Sequence, residues 1–390
     1  MFFNKLRGVS SVPIYYITLA GLIVVFLFAL SGNHSPLPRL DTSRWHGGSA
    51  KGPPPDAEVI LATEVALPNI KHYTQIVDSK ATGYLICVIT RDEESWGQVD
   101  GQQREVGDFI RMLLMTSGLH AEQISLAILT TSESYYDHLV DDETADLPFA
   151  KTHVILYSSP EELDRPDDRN DADWQPARRQ RLAIARNILM LRALGDEQHI
   201  IWFDADVVAS KKGMLAKMVQ QADLNAVRLS DEKANSVTEL PLGLLTARVE
   251  RFGDATYDKN SWAHAEGKLG SGRKVPNEAE EAARRNGEIY AFRPANTPET
   301  RFLDTLTKGT TDDDLIPLDS VGGVVLYVRA DLVRRGLNFP PYYVIGTTWD
   351  TEDGWDGIET EGMCYIARTM GYDCYALGGT WHVNHVDELP

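Results

Sequence analysis

The segment of this sequence best suited to chemistry is Asp204-Ala205-Asp206. Two carboxylates two positions apart on an extended chain point the same way. Together they can share one hard divalent cation whose remaining sites are filled by water and phosphate oxygens. A cation held so neutralises charge that builds on a diphosphate leaving group. Asp-x-Asp alone is a weak signal: it occurs at Asp171/Asp173, Asp204/Asp206 and Asp312/Asp314. Only the second follows directly on a buried-strand pattern, Ile200-Ile201-Trp202-Phe203, and ligands of open α/β sheets sit at the C-terminal ends of strands. The competing reading is a pair of solvated loop acids. A third ligand is on offer in His382-Val383-Asn384-His385, where an imidazole beside carboxylates suits Mn²⁺ better than Ca²⁺. Either histidine can equally be structural.

A second constellation is basic. Arg178, Arg179, Arg181, Arg186 and Arg192 fall within 15 residues that contain no acid. On one helix near a strand end they form an anion-facing surface or a solvated basic face. Further along, Asp319 precedes Gly322-Gly323, a pair that marks a close backbone approach or a bulge at a strand start. Glu359 and Glu361 lie at the start of a helical pattern, where catalysis, acceptor binding and helix capping all suit a carboxylate.

The elements that must position these residues alternate. Tyr84–Thr90, Ile124–Thr131, His153–Ser159 and His199–Asp206 are apolar, β-branched runs of the kind buried parallel strands show. Amphipathic helices are expected over Gln102–Leu119, Arg178–Leu194 and Lys211–Gln221. Strands separated by helices imply a parallel α/β sheet with right-handed crossovers. A strand over Val321–Arg329, a helix over Thr360–Met370 and a strand over Cys374–Leu377 complete an α/β or α+β lobe, while Asp223–Tyr257 shows no clear pattern. Cys364 and Cys374 are candidates to pair.

Ahead of this lobe the composition changes. Ile14–Leu30 is 17 residues without a charge, preceded by Lys5 and Arg7 and no acid. That reads as a signal-anchor with a cytosolic N-terminus, longer than the apolar stretch of a cleaved signal peptide. The expected organisation is a cytosolic tail over 1–11, a transmembrane helix over 12–31, a Gly/Pro/Ser-rich stem over 32–80 and one domain over 81–390, placed across the membrane from the tail. The full chain of 390 residues has 38 basic and 57 acidic side chains, a net charge of −19. Such a surplus argues against nucleic acid as the main partner. Glu133–Asp173 alone carries 13 acids against three bases, and Asp350–Glu361 carries six acids and none. The second window and its edge hold Trp349 and Trp355, an acid–aromatic mix suited to sugar rings and hydroxyls.

Several motifs in one order resemble a known family. RRQRLAIARNIL at Arg178–Leu189, WFDADV, YDKNSW at Tyr257–Trp262, LDSVGGVVLYVRADLVRRGLNFPP at Leu318–Pro341, IETEG at Ile358–Gly362 and GYDCYALGG at Gly371–Gly379 are similar to the fungal Golgi α-1,6-mannosyltransferases of the mannan-polymerase complexes. The sequence departs from that pattern at Asn225–Leu240 and Tyr342–Gly357, as a divergent member would. The resemblance implies a GT-A-type, Rossmann-like nucleotide-sugar transferase fold. It implies GDP-mannose as donor, Mn²⁺ as cofactor, retention of configuration and a mannose-containing glycan as acceptor. It also implies related subunits in a complex and a Golgi type II membrane protein. Carried over by position, it places Asp204, Asp206 and His385 on the metal. Arg186 and Asn187 fall beside the nucleotide with Asp204, joined by Arg178 from the basic run, and Asp319, Glu359 and Glu361 in catalytic or acceptor-binding positions. A non-catalytic scaffold subunit and a same-fold transferase using another nucleotide sugar are the alternatives.

Overall fold

The computed structural model of the chain describes residues 60–67, 69–78, 82–144, 147–158, 175–230, 240–251, 257–264, 300–342, 344 and 357–386. In chain order the first strands are β1 (Ile60–Leu67), β2 (Ile70–Ile76), β3 (Tyr84–Thr90), β4 (Gln98–Val99), β5 (Gln102–Gln103), β6 (Ile124–Thr130), β7 (Lys151–Tyr157), β8 (His199–Asp204) and β9 (Val207–Ser210). They continue with β10 (Leu242–Thr246), β11 (Arg248–Glu250), β12 (Trp262–His264), β13 (Thr300–Phe302), β14 (Leu315–Leu318), β15 (Val325–Arg329), β16 (Asp373–Leu377) and β17 (His382–His385). The helices are α1 (Val106–Thr116), α2 (Glu133–His138), α3 (Gln175–Ala193), α4 (Met214–Ser230), α5 (Leu303–Leu306), α6 (Ala330–Arg334) and α7 (Thr360–Thr369).

Ten strands make one sheet in the order β1-β2-β7-β6-β3-β8-β15-β10-β16-β14. The four continuous apolar runs, β7, β6, β3 and β8, lie side by side and parallel. The all-parallel expectation stops there: β15 runs antiparallel to both β8 and β10, and β10 pairs parallel with β16. β14 pairs antiparallel with β16, so β14 and β15 share one direction, opposite to that of β10 and β16 between them.

Side chains alternate across the sheet and each face is covered by helices. Ile200 and Trp202 of β8 join one core with Leu189 and Met190 of α3 and Met363 and Ala367 of α7. Ile201 and Phe203 join the opposite core with Phe109 and Leu113 of α1 and Met214 and Met218 of α4. This two-sided burial is why the central strands carry no polar alternation. Each large apolar side chain withdrawn from water contributes about 1.5–3 kcal/mol to the fold.

Other sequence expectations move. The stem does not extend to residue 80: β1 and β2 pair antiparallel and join the sheet through β7. The sequence of β2, IKHYTQI, lacks the apolar run of a central strand because β2 lies next to the edge strand β1. The unassigned stretch from Asp223 holds the end of α4, then β10 and β11. Gly243 interrupts the pattern of β10 for a steric reason, since a Cβ there would stand 2.9 Å from Leu332 Cδ1 and from Tyr372 Cβ. Cys364 on α7 and Cys374 on β16 form a disulfide with Cα atoms 5.7 Å apart, and Cys87 is a buried free thiol. The expected anchor over 12–31, the acidic stretch at 160–173 and Trp349 and Trp355 lie outside the described residues. Among the described residues, no helix is long and apolar enough to cross a membrane.

Candidate active site

The site begins where β8 ends. Asp204 is the last residue of the strand and continues the face of Ile200 and Trp202, the face on which α3 lies. Its Oδ1 accepts a hydrogen bond from Arg186 Nη2 at 3.0 Å. The chain turns at Ala205 and Asp206 before β9, so the expectation that both aspartates point alike from an extended segment does not hold. Asp206 instead meets the C-terminal strand: its Oδ2 lies 2.9 Å from His385 Nε2. The pairing of β17 with β9 and β11 in a separate three-stranded sheet delivers His385 there. His382, the other candidate, is more open and sits 3.6 Å from Glu250.

Arg186 is the centre of the cluster. Its buried guanidinium lies 5.5 Å from the ring of Trp202 and 5.4 Å from that of Phe339, within cation–π range. Besides Asp204, its Nε lies 3.1 Å from Glu359 Oε1, an ion pair without the alignment of a hydrogen bond. Seven residues earlier on α3, and so on the same face, Arg179 Nη1 donates to Glu361 Oε2 at 2.9 Å. Two arginines of α3 thus face two glutamates at the start of α7. The Gly322-Gly323 pair makes room for this packing. A Cβ on Gly323 would stand 2.6 Å from both terminal nitrogens of Arg186, and one on Gly322 would collide with the Asp258 carboxylate.

Glu359 has φ +64° and ψ −133°, a backbone conformation costly for a side-chain-bearing residue. It is held there by its N–H donating to Pro340 O at 2.8 Å and by Thr360 Oγ1 donating to its Oε2 at 2.9 Å.

The electrostatics follow from crowding acids around one cation. Burial pushes the Asp204 carboxyl up, Arg186 pulls it down, and Asp206 and Glu359 add to the upward push; the net shift is upward although the side chain is 37% exposed. Asp258 is pushed up to about 6, mainly by burial, against a hydrogen bond from the Asn260 N–H. Burial works to lower His385, but the Asp206 carboxylate outweighs it and the imidazole ends above its ordinary pKa. His385 Nδ1 lies 3.1 Å from Val386 O. With a proton on Nδ1 toward that carbonyl, Nε2 is left to carry a proton toward Asp206 or to offer its lone pair to a metal. The ring of Tyr257 packs on His385 at 4.5 Å, and burial pushes the Tyr257 phenol up to about 12.

The structure therefore brings together Asp204, Asp206, His385, Arg186 and Glu359, and places Glu361 beside them on Arg179. It sets two expected site residues to other work. Asn187 donates from Nδ2 to Phe339 O at 2.7 Å and accepts from Phe339 N–H at 2.9 Å, because a carboxamide matches a peptide group in both directions. Its polar atoms are thus spent on docking the segment after α6. Asp319 pairs with Arg368 Nη1 at 3.1 Å, in a network where Arg368 also binds Leu318 O and Asp373. Arg178 lies half-buried on α3. Sequence reasoning named Arg179 only as one of five basic residues on its helix, and missed Asp258 and Tyr257; YDKNSW contained both, but nothing local marked them as facing His385 or Gly322.

As a metal site the fit is with the carboxylate pair. Asp206 Oδ1 is buried without a hydrogen-bond partner among the described residues, as is Nη1 of Arg186. Among the described residues no three His, Cys, Asp or Glu side chains form a ready-made metal cage. Two carboxylates with one orphaned oxygen suit a hard divalent cation that completes its shell from ligand oxygens.

Comparison with known proteins shows what the chain is similar to. The mannan polymerase complex subunit MNN9 of Candida albicans is 25% identical over 221 residues, covering 54% of this chain and 50% of that protein. The subunit of the same name in Schizosaccharomyces pombe is 24% identical over 241 residues, 60% of each chain. The mannan polymerase I complex VAN1 subunit of Saccharomyces cerevisiae is 24% identical over 250 residues, 62% of this chain and 40% of that one. The chain thus spans about half the length of the curated relatives it matches. A Pyrobaculum calidifontis mannosyltransferase solved with GDP-Man and Mn²⁺ shows a likeness at 12% identity and a TM-score of 0.36, over 96% of this chain and 68% of that one, too remote to carry an argument. Residues 71–343, which include Arg186, Asp204 and Asp206, match the Anp1 family model, and on that match the chain belongs to the Anp1 family.

Proposed function

We propose that this protein is a metal-dependent retaining mannosyltransferase of GT-A type that moves mannose from GDP-mannose to a mannose-containing glycan. One observation carries the reading. At the C-terminal end of a parallel strand, a single cluster holds a buried cationic donor, Arg186 Nη1, and a buried carboxylate oxygen, Asp206 Oδ1, that have no hydrogen-bond partner among the described residues. A diphosphate and a divalent cation are the pair of groups that would satisfy both. The family membership and the names of the relatives support the same substrate class.

Asp204 and Asp206, with His385 turning its Nε2, would hold the cation, and Mn²⁺ suits a mixed carboxylate and imidazole set. When bound there, the cation supplies charge neutralisation for the diphosphate leaving group. Arg186 contributes a fixed positive charge to the same end, preorganised by its two carboxylates and two rings. Glu359, strained and set in the Arg186 cluster, is the carboxylate best placed to orient the acceptor hydroxyl or the sugar. Asp319 is tied to Arg368 and belongs to the frame. Residues 12–31 would anchor the protein in the Golgi membrane with the folded domain luminal and related subunits beside it. The Cys364–Cys374 disulfide supports an oxidising compartment.

A second reading, a non-catalytic subunit, draws on the mutual engagement of Asp206 and His385 and on relatives named as complex subunits. One assay separates the two. The full-length protein is incubated with GDP-mannose, Mn²⁺ and α-mannobiose beside an Asp204→Asn/Asp206→Asn variant. Extended product from the wild type alone supports catalysis at this site. Equal product from both sinks the site, no product with no GDP binding favours the subunit reading, and turnover with UDP-sugars only removes the donor assignment.

A further inference from the structure

We infer that Arg104 is a positioning residue for the Asp204–Asp206 turn, an inference that rests on the reading of those aspartates as metal ligands. Arg104 follows β5, and its own N–H donates to Gly97 O at 2.9 Å. Its guanidinium is buried and directed at backbone alone: Nη1 donates to Trp96 O at 2.8 Å and reaches Ala205 O at 3.5 Å, and Nη2 donates to Val207 O at 3.0 Å. Trp96 ends the short helix that follows β3, and Ala205 and Val207 flank Asp206 after β8. β3 and β8 are parallel neighbours in register, Ile89 opposite Asp204. One side chain therefore ties together the loops at the C-terminal ends of two adjacent strands, across the crevice in which such sheets bind ligands.

The clamp fixes direction. Three consecutive carbonyls are held: Ala205 O and Val207 O by Arg104, and Asp206 O by the Val386 N–H at 3.0 Å. Val386 is itself seated on Gly97, where a Cβ would stand 2.7 Å from Val386 Cγ1. With the carbonyls before, at and after Asp206 all bound, the peptide planes on both sides of its Cα are set, and with them the origin of its side chain. Burying a guanidinium against carbonyls is costly, and burial here lowers the Arg104 pKa while Asp108 and Asp206 oppose that only through their fields. A planar fork is the group that reaches two loops at once; a lysine ammonium on the same stem is a point donor and cannot span them.

Full-length wild type, Arg104→Lys, Arg104→Gln and Asp204→Asn/Asp206→Asn proteins are titrated with Mn²⁺ alone, free ion being followed by its paramagnetic resonance signal, with circular dichroism of each metal-free protein. The expected result is folded Arg104 variants whose Mn²⁺ affinity falls by about 10–100-fold, the range for groups that orient a metal ligand, with Lys no better than about Gln because the charge alone does not position the turn. Arg104→Lys binding Mn²⁺ like the wild type overturns the positioning role while leaving the metal site standing. Failure of both Arg104 variants to fold also overturns it, by making the clamp a requirement of the fold. Wild type binding no better than the aspartate variant removes the metal reading itself, and this inference with it.

Discussion

Gly323→Ala puts a single methyl group against the centre of the site. The added Cβ would lie 2.6 Å from Arg186 Nη1 and Nη2, where ordinary contact begins near 3.4 Å, so the two must part by about 0.8 Å. An exposed arginine would swing away at little cost. Arg186 cannot, because Asp204 holds it at 3.0 Å, Glu359 at 3.1 Å, and the rings of Trp202 and Phe339, in edge contact with each other, both pack against it. Overpacking of this kind costs about 1–3 kcal/mol of stability, which a domain of ordinary stability, about 5–15 kcal/mol, survives. A displacement near 1 Å of a charge-stabilising group costs about 10²-fold in rate. The expected outcome is a folded Gly323→Ala protein, with thermal unfolding a few degrees lower and kcat/KM for mannosyl transfer down about 100-fold. In an Arg186→Met background the same methyl meets no guanidinium and its stability cost should largely vanish, a non-additivity that a double-mutant cycle reads directly. Wild-type activity in Gly323→Ala, or the same stability loss with and without Arg186, would refute the packing argument.

Two further outcomes follow from buried charge. Glu361→Gln removes the carboxylate that Arg179 holds at 2.9 Å in a nearly buried pair, and denaturant unfolding should register a loss of about 3 kcal/mol, with Glu361→Asp recovering part of it. His153, buried beside His72 at 3.1 Å, has its pKa lowered to about 4, chiefly by burial. The unfolded chain binds this proton near pH 6.5 and the native one only near 4, so stability present above pH 6.5 is lost as pH falls toward 4, by about 3 kcal/mol. His153→Gln cannot titrate and should flatten that part of the stability profile; an unchanged slope would assign the acid sensitivity to other groups.

What was legible in the sequence followed from local pattern. Tyr84–Thr90, Ile124–Thr131 and His199–Asp206 announce the central strands because burial on both faces demands continuous apolar runs. Asp204 is readable for the same reason, as the first charge after such a run. The half-buried β2 and the Gly-interrupted β10 are not readable, since partial exposure in one case and a close approach to Leu332 and Tyr372 in the other break the pattern. Partner choice is also hidden. Nothing within α3 separates Arg186, which reaches Asp204 and Glu359, from its neighbour Asn187, which is spent on the Phe339 backbone. Arg104 meets Val207 across more than a hundred residues, and only the folded chain makes that contact visible. The two aspartates show the limit most plainly: spacing suggests one shared direction, and the turn at Ala205 sends them to different partners.

The central claim is that the carboxylates at the end of β8 bind a nucleotide sugar through a divalent cation, beside Arg186. Calorimetric titration of GDP-mannose onto the full-length protein with and without Mn²⁺, for wild type and for Asp206→Asn, tests it most directly. The account predicts saturable binding to wild type that requires Mn²⁺ and is abolished or weakened at least about tenfold in Asp206→Asn. Equal affinity in the two proteins, or binding indifferent to Mn²⁺, would contradict it.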